Sequence, residues 1–381
     1  FSAVIAVSAQ EKTWLERAYD GEFKGTEVVF DGPFMDTDQV LFEESIAEFE
    51  EKTGIDIKYI GNKDFESTIQ MRVESGNAPD IMDFPQPGLM ANLAKGGHLV
   101  EVRDVISEDW LKENYSQAWL DLAMTPGPDG KDMMAGIWAR FNAKSQVYYR
   151  PAVFEDAGYE IPTTWDEMIA LSDQMVEDGE TPWCAGIESG GATGWPGTDW
   201  IENIMLRTTS LENYNKWTKG ELKFVSPEVR RALEILADIW FTDGYVYGGR
   251  EAIAATNFGE AVKPLFYETD GCLMYMLGNF VTAFFPEGLV PGEDYDVFYL
   301  PPIDEEYGRP YLGGGDIYGV AVGHDRDEVK AAFEYFTHGE SLKAHCSRVV
   351  TLIRNGMRTR QMRRLLRWSM KRHRSASMVR T

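Results

Sequence analysis

Residues 28–84 alternate short apolar strands with amphipathic helices, and that alternation leaves few ways for the chain to fold. Val28-Val29-Phe30 reads as a buried strand, and residues 39–53 follow as a helix with Phe42, Ile46 and Phe49 at helical spacing, closed by Gly54. Ile55, Ile57 and Tyr59 alternate as a second strand. Residues 64–75 form a second helix ending at Gly76, and Asp80-Ile81-Met82-Asp83-Phe84 a third strand. Such βαβαβ units wind parallel sheets with right-handed crossovers, and ligands gather beyond the carboxyl ends of the strands. The loops at residues 31–37 and 85–88 are the candidates for that edge.

A second α/β region opens after Tyr148-Tyr149-Arg150. Thr164-Trp165-Asp166-Glu167 is a capping box that starts a helix running through Val176. Ser226 caps another helix with Pro227 in its first turn, and Leu233, Leu236 and Trp240 share one face of it. Residues 296–300 read as a strand that meets Pro301-Pro302, and Gly313-Gly314-Gly315-Asp316 precedes an apolar strand at 318–322 that returns the chain to the first region.

Charge excludes some partners. Acids number 62 against 37 bases, a net charge of -25 that repels nucleic acid and anionic membrane surfaces. Salt adaptation and simple solubility both explain that acidity. No apolar run reaches the length of about 18 residues that a spanning helix requires. Residues 341–381 break the pattern with 12 Lys and Arg and no acid, and they read either as an altered, frame-shifted end or as a genuine basic tail that binds partners.

Residues 1–9 read as the end of a secretory signal, with small residues at Val7 and Ala9 and a cut after Ala9; a buried N-terminal strand is the alternative. Export permits disulfides, so Cys184 and Cys272 are expected to pair, with two buried thiols as the other reading, while Cys346 lies in the basic tail. The five histidines are scattered and make no metal pattern, no cofactor motif is present, and nothing nominates a nucleophile.

The motifs at 42–57, Gly76-Asn77-Ala78-Pro79-Asp80-Ile81 and Ile161-Pro162-Thr163-Thr164-Trp165-Asp166-Glu167 together resemble the extracellular solute-binding proteins of carbohydrate ABC importers, the maltose-binding-like class, over roughly residues 26–340. Thr181-Pro182-Trp183-Cys184, the 194–202 segment and Gly313-Gly314-Gly315-Asp316-Ile317-Tyr318-Gly319 look like the sugar-contacting segments of its alpha-glucoside-binding branch. The resemblance implies an α/β, two-lobed periplasmic-binding-protein fold of type II, each lobe a parallel-rich sheet flanked by helices, joined by a hinge. Residues 26–144 plus 305–340 form the N-terminal lobe and 145–304 the C-terminal lobe. The tail departs from the family's pattern after Ala344.

A sugar offers an apolar face of C–H groups and a rim of hydroxyls, so its receptor needs aromatic platforms and polar groups that donate and accept. Trp195, Trp200 and Phe34 lie in Gly- and Pro-containing stretches that read as loops, with Trp195 the first choice for a stacking platform and loop packing the alternative, whereas Trp165 and Trp240 read as core. Asp36, Asp199 and Asp316 are loop carboxylates suited to paired hydroxyls, although Asp199 could instead cap a helix at 200–207. Gly314 belongs to the resembling segment; Arg140, Asn279 and Gln86 are further candidates that a structural role explains as well.

The function this implies is an extracytoplasmic, monomeric, non-enzymatic receptor. It would close by hinge motion on an oligosaccharide, an alpha-glucoside above all, and deliver it to the permease subunits of an ABC importer. A glycoside hydrolase using two carboxyl groups is the first alternative. A polyol- or peptide-binding receptor on the same fold is the second.

Overall fold

The computed structural model describes residues 12–338 and Ser341. The expected signal remnant at 1–9 and, Ser341 apart, the basic tail with Cys346 lie outside the described residues. The chain divides into two compact units, one running through Arg140 and resuming at Asp316, the other spanning Phe141–Gly315.

The first unit begins with α1 (Trp14–Tyr19), β1 (Glu27–Gly32), α2 (Asp36–Thr53), β2 (Asp56–Gly61), α3 (Phe65–Glu74), β3 (Ile81–Phe84) and α4 (Pro87–Lys95). It continues with α5 (Glu108–Asn114), α6 (Gln117–Leu122), the paired strands β4 (Met124–Pro126) and β5 (Asp132–Met134), and β6 (Ile137–Ala143), which carries the chain out. The second unit holds β7 (Gln146–Tyr149), α7 (Pro151–Ala157), α8 (Trp165–Glu177), α9 (Trp195–Thr208), α10 (Leu211–Thr218), α11 (Pro227–Trp240), α12 (Arg250–Ile253), β8 (Met274–Met276) and β9 (Asp296–Tyr299). β10 (Gly313–Val320) returns to the first unit, followed by α13 (Asp327–Tyr335).

The first unit's sheet runs β2-β1-β3-β10-β6, with β1 parallel to both β2 and β3 and β10 antiparallel to β3. Strand side chains alternate between faces, so Tyr318 joins Phe30, Phe42, Phe49 and Phe333 on one side while its neighbour Ile317 joins Phe65, Ile69, Met82 and Phe84 on the other. Gly54 takes φ 71 at the end of α2, the left-handed conformation a glycine reaches without strain. Asp80 fastens the return of the chain: its carboxylate accepts from the Val29 amide at 2.9 Å, from both terminal nitrogens of Arg326 at 2.9 and 3.0 Å, and lies 2.9 Å from the His324 ring.

The second unit's sheet, β8-β7-β9, pairs antiparallel throughout, which corrects the expectation of a parallel-rich sheet here. Among the described residues of this unit, parallel pairing is confined to isolated bridges such as Trp183 with Val246 and Met274. Thr164 and Glu167 form the capping box that opens α8, and Ser226 accepts from the Val229 amide to cap α11. Trp165, Trp200, Ile204, Leu236 and Trp240 pack in one core, but Leu233 is 36% exposed and does not share the buried face expected of it. Cys184 and Cys272 form a disulfide with their Cα atoms 5.3 Å apart. Among the described residues no helix is long and apolar enough to cross a membrane.

Candidate functional site

Each unit carries a polar cluster where its chain enters or leaves. In the first unit, Asp38 sits in the first turn of α2, where the helix N-terminus favours a carboxylate. Arg140, on β6, donates to it at 3.0 Å and stands 3.5 Å from the Asp316 carboxylate on β10. The same guanidinium lies over the Phe34 ring, 4.7 Å from its centre. Burial works against that charge, yet Asp38 and Asp316 outweigh it and hold the guanidinium above its ordinary range. Asp83, fully buried on β3, has neither carboxylate oxygen in a hydrogen bond among the described residues. Burial first, and then the Asp316 charge, push its carboxyl well up and favour the protonated form.

In the second unit the cluster forms at the start of α9. Gly194 takes φ 112 before the helix and Pro196 occupies its first turn, where its missing N–H is not needed, so Trp195 becomes the first helical residue. Its half-buried ring packs against Phe258 at 5.0 Å and Phe280 at 5.6 Å. One helical turn on, Asp199 accepts from Lys144 at 2.9 Å, and the ammonium lies 5.8 Å from the Trp195 ring centre. A β-carbon added to Gly314 would stand 3.5 Å from the Lys144 side chain, and Asn279 accepts from the Ala143 amide at 2.5 Å. Burial raises the Asp199 carboxyl, with Lys144 opposing; burial and then the Asp199 charge push Glu202, on the same helix, up to about 7.

The expected site residues thus separate into two groups. Phe34, Arg140 and Asp316 come together in the first unit, and Trp195, Asp199, Gly314 and Asn279 gather around Lys144 in the second. Several placements differ from expectation. Trp200 lies inside α9 rather than in a loop, 4% exposed and edge-on to Trp183 and Trp240. Phe34 is equally buried, packed on Phe42 and Tyr59 beneath Arg140. Asp199 does not cap α9, because the helix starts five residues earlier than expected with Gly194 at its N-cap, and Asp316 belongs to a strand instead of a loop. Asp36 opens α2 with φ 51, a left-handed conformation that Asp tolerates, and it is exposed, as is Gln86 before α4.

Lys144, Asp38, Phe258 and Phe280 were not among the expected site residues. Lys144 stood beside the expected crossing and Phe280 beside Asn279, so proximity was the only available signal. Among the described residues no group of His, Cys, Asp or Glu is arranged to hold a metal ion. The arrangement offers a half-open aromatic face bordered by an ammonium and a carboxylate that neutralise each other, which suits an uncharged, hydroxyl-rich ring better than an ion.

Comparison with known proteins identifies the family. Residues 36–340 match the family model of the bacterial extracellular solute-binding proteins. The osmoprotective compounds-binding protein GgtB of Synechocystis is 42% identical over 316 residues, 83% of this chain and 73% of its own. The alpha-glucosides-binding periplasmic protein AglE of Rhizobium meliloti is 41% identical over 320 residues, 82% of this chain and 69% of its own. The solved structure of the bacterial solute receptor AcbH, 20% identical, superposes with a TM-score of 0.72 over 84% of this chain and 79% of its own, a likeness of fold in the type II periplasmic-binding class. With its family model matched over most of its length and two relatives above 40% identity, the chain belongs to the bacterial extracellular solute-binding proteins.

Proposed function

We propose that this chain is the extracytoplasmic receptor of an ABC importer and that its ligand carries an α-glucosyl group. The observation that carries the reading is the corner at the start of α9, where the half-buried Trp195 ring lies beside the Lys144–Asp199 pair. An apolar sugar face stacks on the indole, while adjacent hydroxyls accept from the ammonium and donate to the carboxylate. The pair carries no net charge, so an uncharged sugar meets no uncompensated ion. In the first unit, the exposed Asp36 is the proposed hydroxyl acceptor. Relatives named for alpha-glucosides and for osmoprotective compounds have nearly equal identity to this chain, so the proposed ligand class takes in osmoprotective compounds as well as alpha-glucosides. Uptake is proposed to proceed by hinge closure, which a ligand drives only through contacts it gains in the closed form, and the receptor acts as a monomer that hands its ligand to the permease unaltered.

Thermal unfolding with trehalose, sucrose, maltose and glycerol-type polyols tests the reading. A true ligand present at about 100 times its Kd stabilises the protein by about 2.7 kcal/mol. Sugars recovered intact, with a raised melting temperature for at least one glucoside, are the expected result. Release of reducing sugar from sucrose or trehalose, or no shift with any of the panel, overturns it.

A further inference from the structure

Behind the Trp195 corner, α9 is held by a buried polar network. Asn203, fully buried, donates through its amide nitrogen to the Lys144 carbonyl at 2.8 Å and to the Asp199 carbonyl at 2.9 Å. Its amide oxygen accepts from the Ser145 hydroxyl at 2.7 Å and from Arg207 at 3.0 Å, so both ends of the side chain are engaged. The Ser145 oxygen in turn accepts from the Leu312 amide at 2.7 Å. Arg207, also fully buried, donates to the carbonyls of Leu300, Pro301 and Pro310 and lies over the Tyr299 ring.

The partners of Arg207 are therefore carbonyl oxygens and one amide rather than a carboxylate. An arginine buried without a counter-charge is costly, and aliphatic side chains would fill the same space at less expense. What the network achieves is a fixed register among three segments at once. Lys144 and Ser145 follow the first passage of the chain between its units, Pro310 and Leu312 precede the second, and α9 carries Trp195 and Asp199 on its first two turns. A fully satisfied polar network of this kind specifies one arrangement and disfavours neighbouring ones.

We infer that Ser145, Asn203 and Arg207 are positioning residues for ligand binding: they lock α9 to both connecting stretches, so that the geometry of the Trp195–Lys144–Asp199 corner and the course of those stretches are set together. The inference rests on the proposed sugar-binding role of that corner. None of the three is required to touch the ligand.

The test measures Kd by titration calorimetry, with trehalose and sucrose as probes, at a temperature where circular dichroism shows each protein fully folded. Ser145→Ala removes the bridge between Asn203 and Leu312. Asn203→Asp keeps the oxygen that faces Ser145 and Arg207 but loses the donor to the Lys144 carbonyl, and it serves as the second variant if Ser145→Ala does not fold. Trp195→Ala is run beside them. Positioning predicts that Kd rises about tenfold in Ser145→Ala and Asn203→Asp for the sugar the wild type binds. A melting temperature that falls while Kd stays within twofold of wild type, with Trp195→Ala losing binding, overturns the inference and leaves the site reading intact. A wild type that binds neither probe, or a Trp195→Ala variant that binds normally, overturns the site reading and the inference with it.

Discussion

Replacing Lys144 by methionine isolates the Asp199 carboxylate, and the consequence can be worked from the structure. The two charges are 2.9 Å apart, with the lysine side chain 21% exposed and the aspartate side chain 6%. Oδ2 of Asp199 is already buried without a hydrogen bond among the described residues, so loss of the ammonium leaves the group without a counter-ion. Removing one partner of a buried pair costs about 3–5 kcal/mol. The carboxyl has an escape, since it can take up a proton. Protonating an aspartate of ordinary pKa near 3.9 at pH 7 costs about 4 kcal/mol, which sets the ceiling. Burial raises the folded-state carboxyl above its unfolded value, so its ionisation opposes folding. That penalty is absent below the unfolded pKa and grows as pH rises above it. Because the wild-type carboxyl already carries part of this penalty, the expected loss in Lys144→Met is at most about 3–4 kcal/mol at pH 7 and at most roughly 1.5 kcal/mol at pH 5. For a unit of this size that is a drop in melting temperature of at most roughly 6–16 °C at pH 7. Adding Asp199→Asn should recover most of it. Ligand-free thermal unfolding at the two pH values reads the result. A loss under about 1 kcal/mol at pH 7, or one that does not shrink at pH 5, refutes the reasoning.

Two further perturbations have defined outcomes. Cys184 and Cys272 are separated by 88 residues, so opening their disulfide releases a long loop in the unfolded chain and should lower stability by about 4–5 kcal/mol; denaturation of a Cys184→Ser, Cys272→Ser double variant beside the oxidised wild type measures this, and a difference below about 1 kcal/mol contradicts it. Glu202 is raised to about 7 by burial and by Asp199, so its ionisation subtracts stability as pH climbs from 4.5 through 7, and the stability of Glu202→Gln relative to the wild type should rise by about 2 kcal/mol across that window; pH profiles of the two proteins that run parallel would conflict with the assignment.

How far the sequence carried depended on whether a local rule acted alone. The end of α2 at Gly54, the capping box at Thr164 and Glu167, and the Ser226-Pro227 start of α11 are each set by backbone groups within one turn, and they stand as read. The start of α9 was missed because Gly194, Pro196 and Gly197 look like loop punctuation, although proline in a first turn is compatible with a helix. With the helix start went Trp200, whose burial against Trp183 and Trp240 depends on partners 17 and 40 residues away in the chain. Leu233 shows the opposite error, since helical spacing placed it with Leu236 while the actual packing leaves it exposed. Lys144 could not be chosen over the other lysines, because its partner lies 55 residues on and no local pattern joins them.

Arg140 with Asp38 and Asp316, and Lys144 with Asp199, share a feature that packing does not explain. Each sets a cation against carboxylate in a largely buried position, and each cation stands within four residues of the first passage of the chain between its units. Ion pairs so placed are seldom the most stable filling, because desolvation consumes much of their attraction and apolar residues of similar volume often do as well or better. Phe30, Phe42, Ile204 and Trp240 show that both units can build ordinary apolar cores a short distance away. The charged residues therefore sit where the fold tolerates them without requiring them. On the proposed reading, an uncharged sugar calls for fixed donors and acceptors of both signs, and buried pairs already engaged with each other would supply these with little ordering left to do when the ligand arrives.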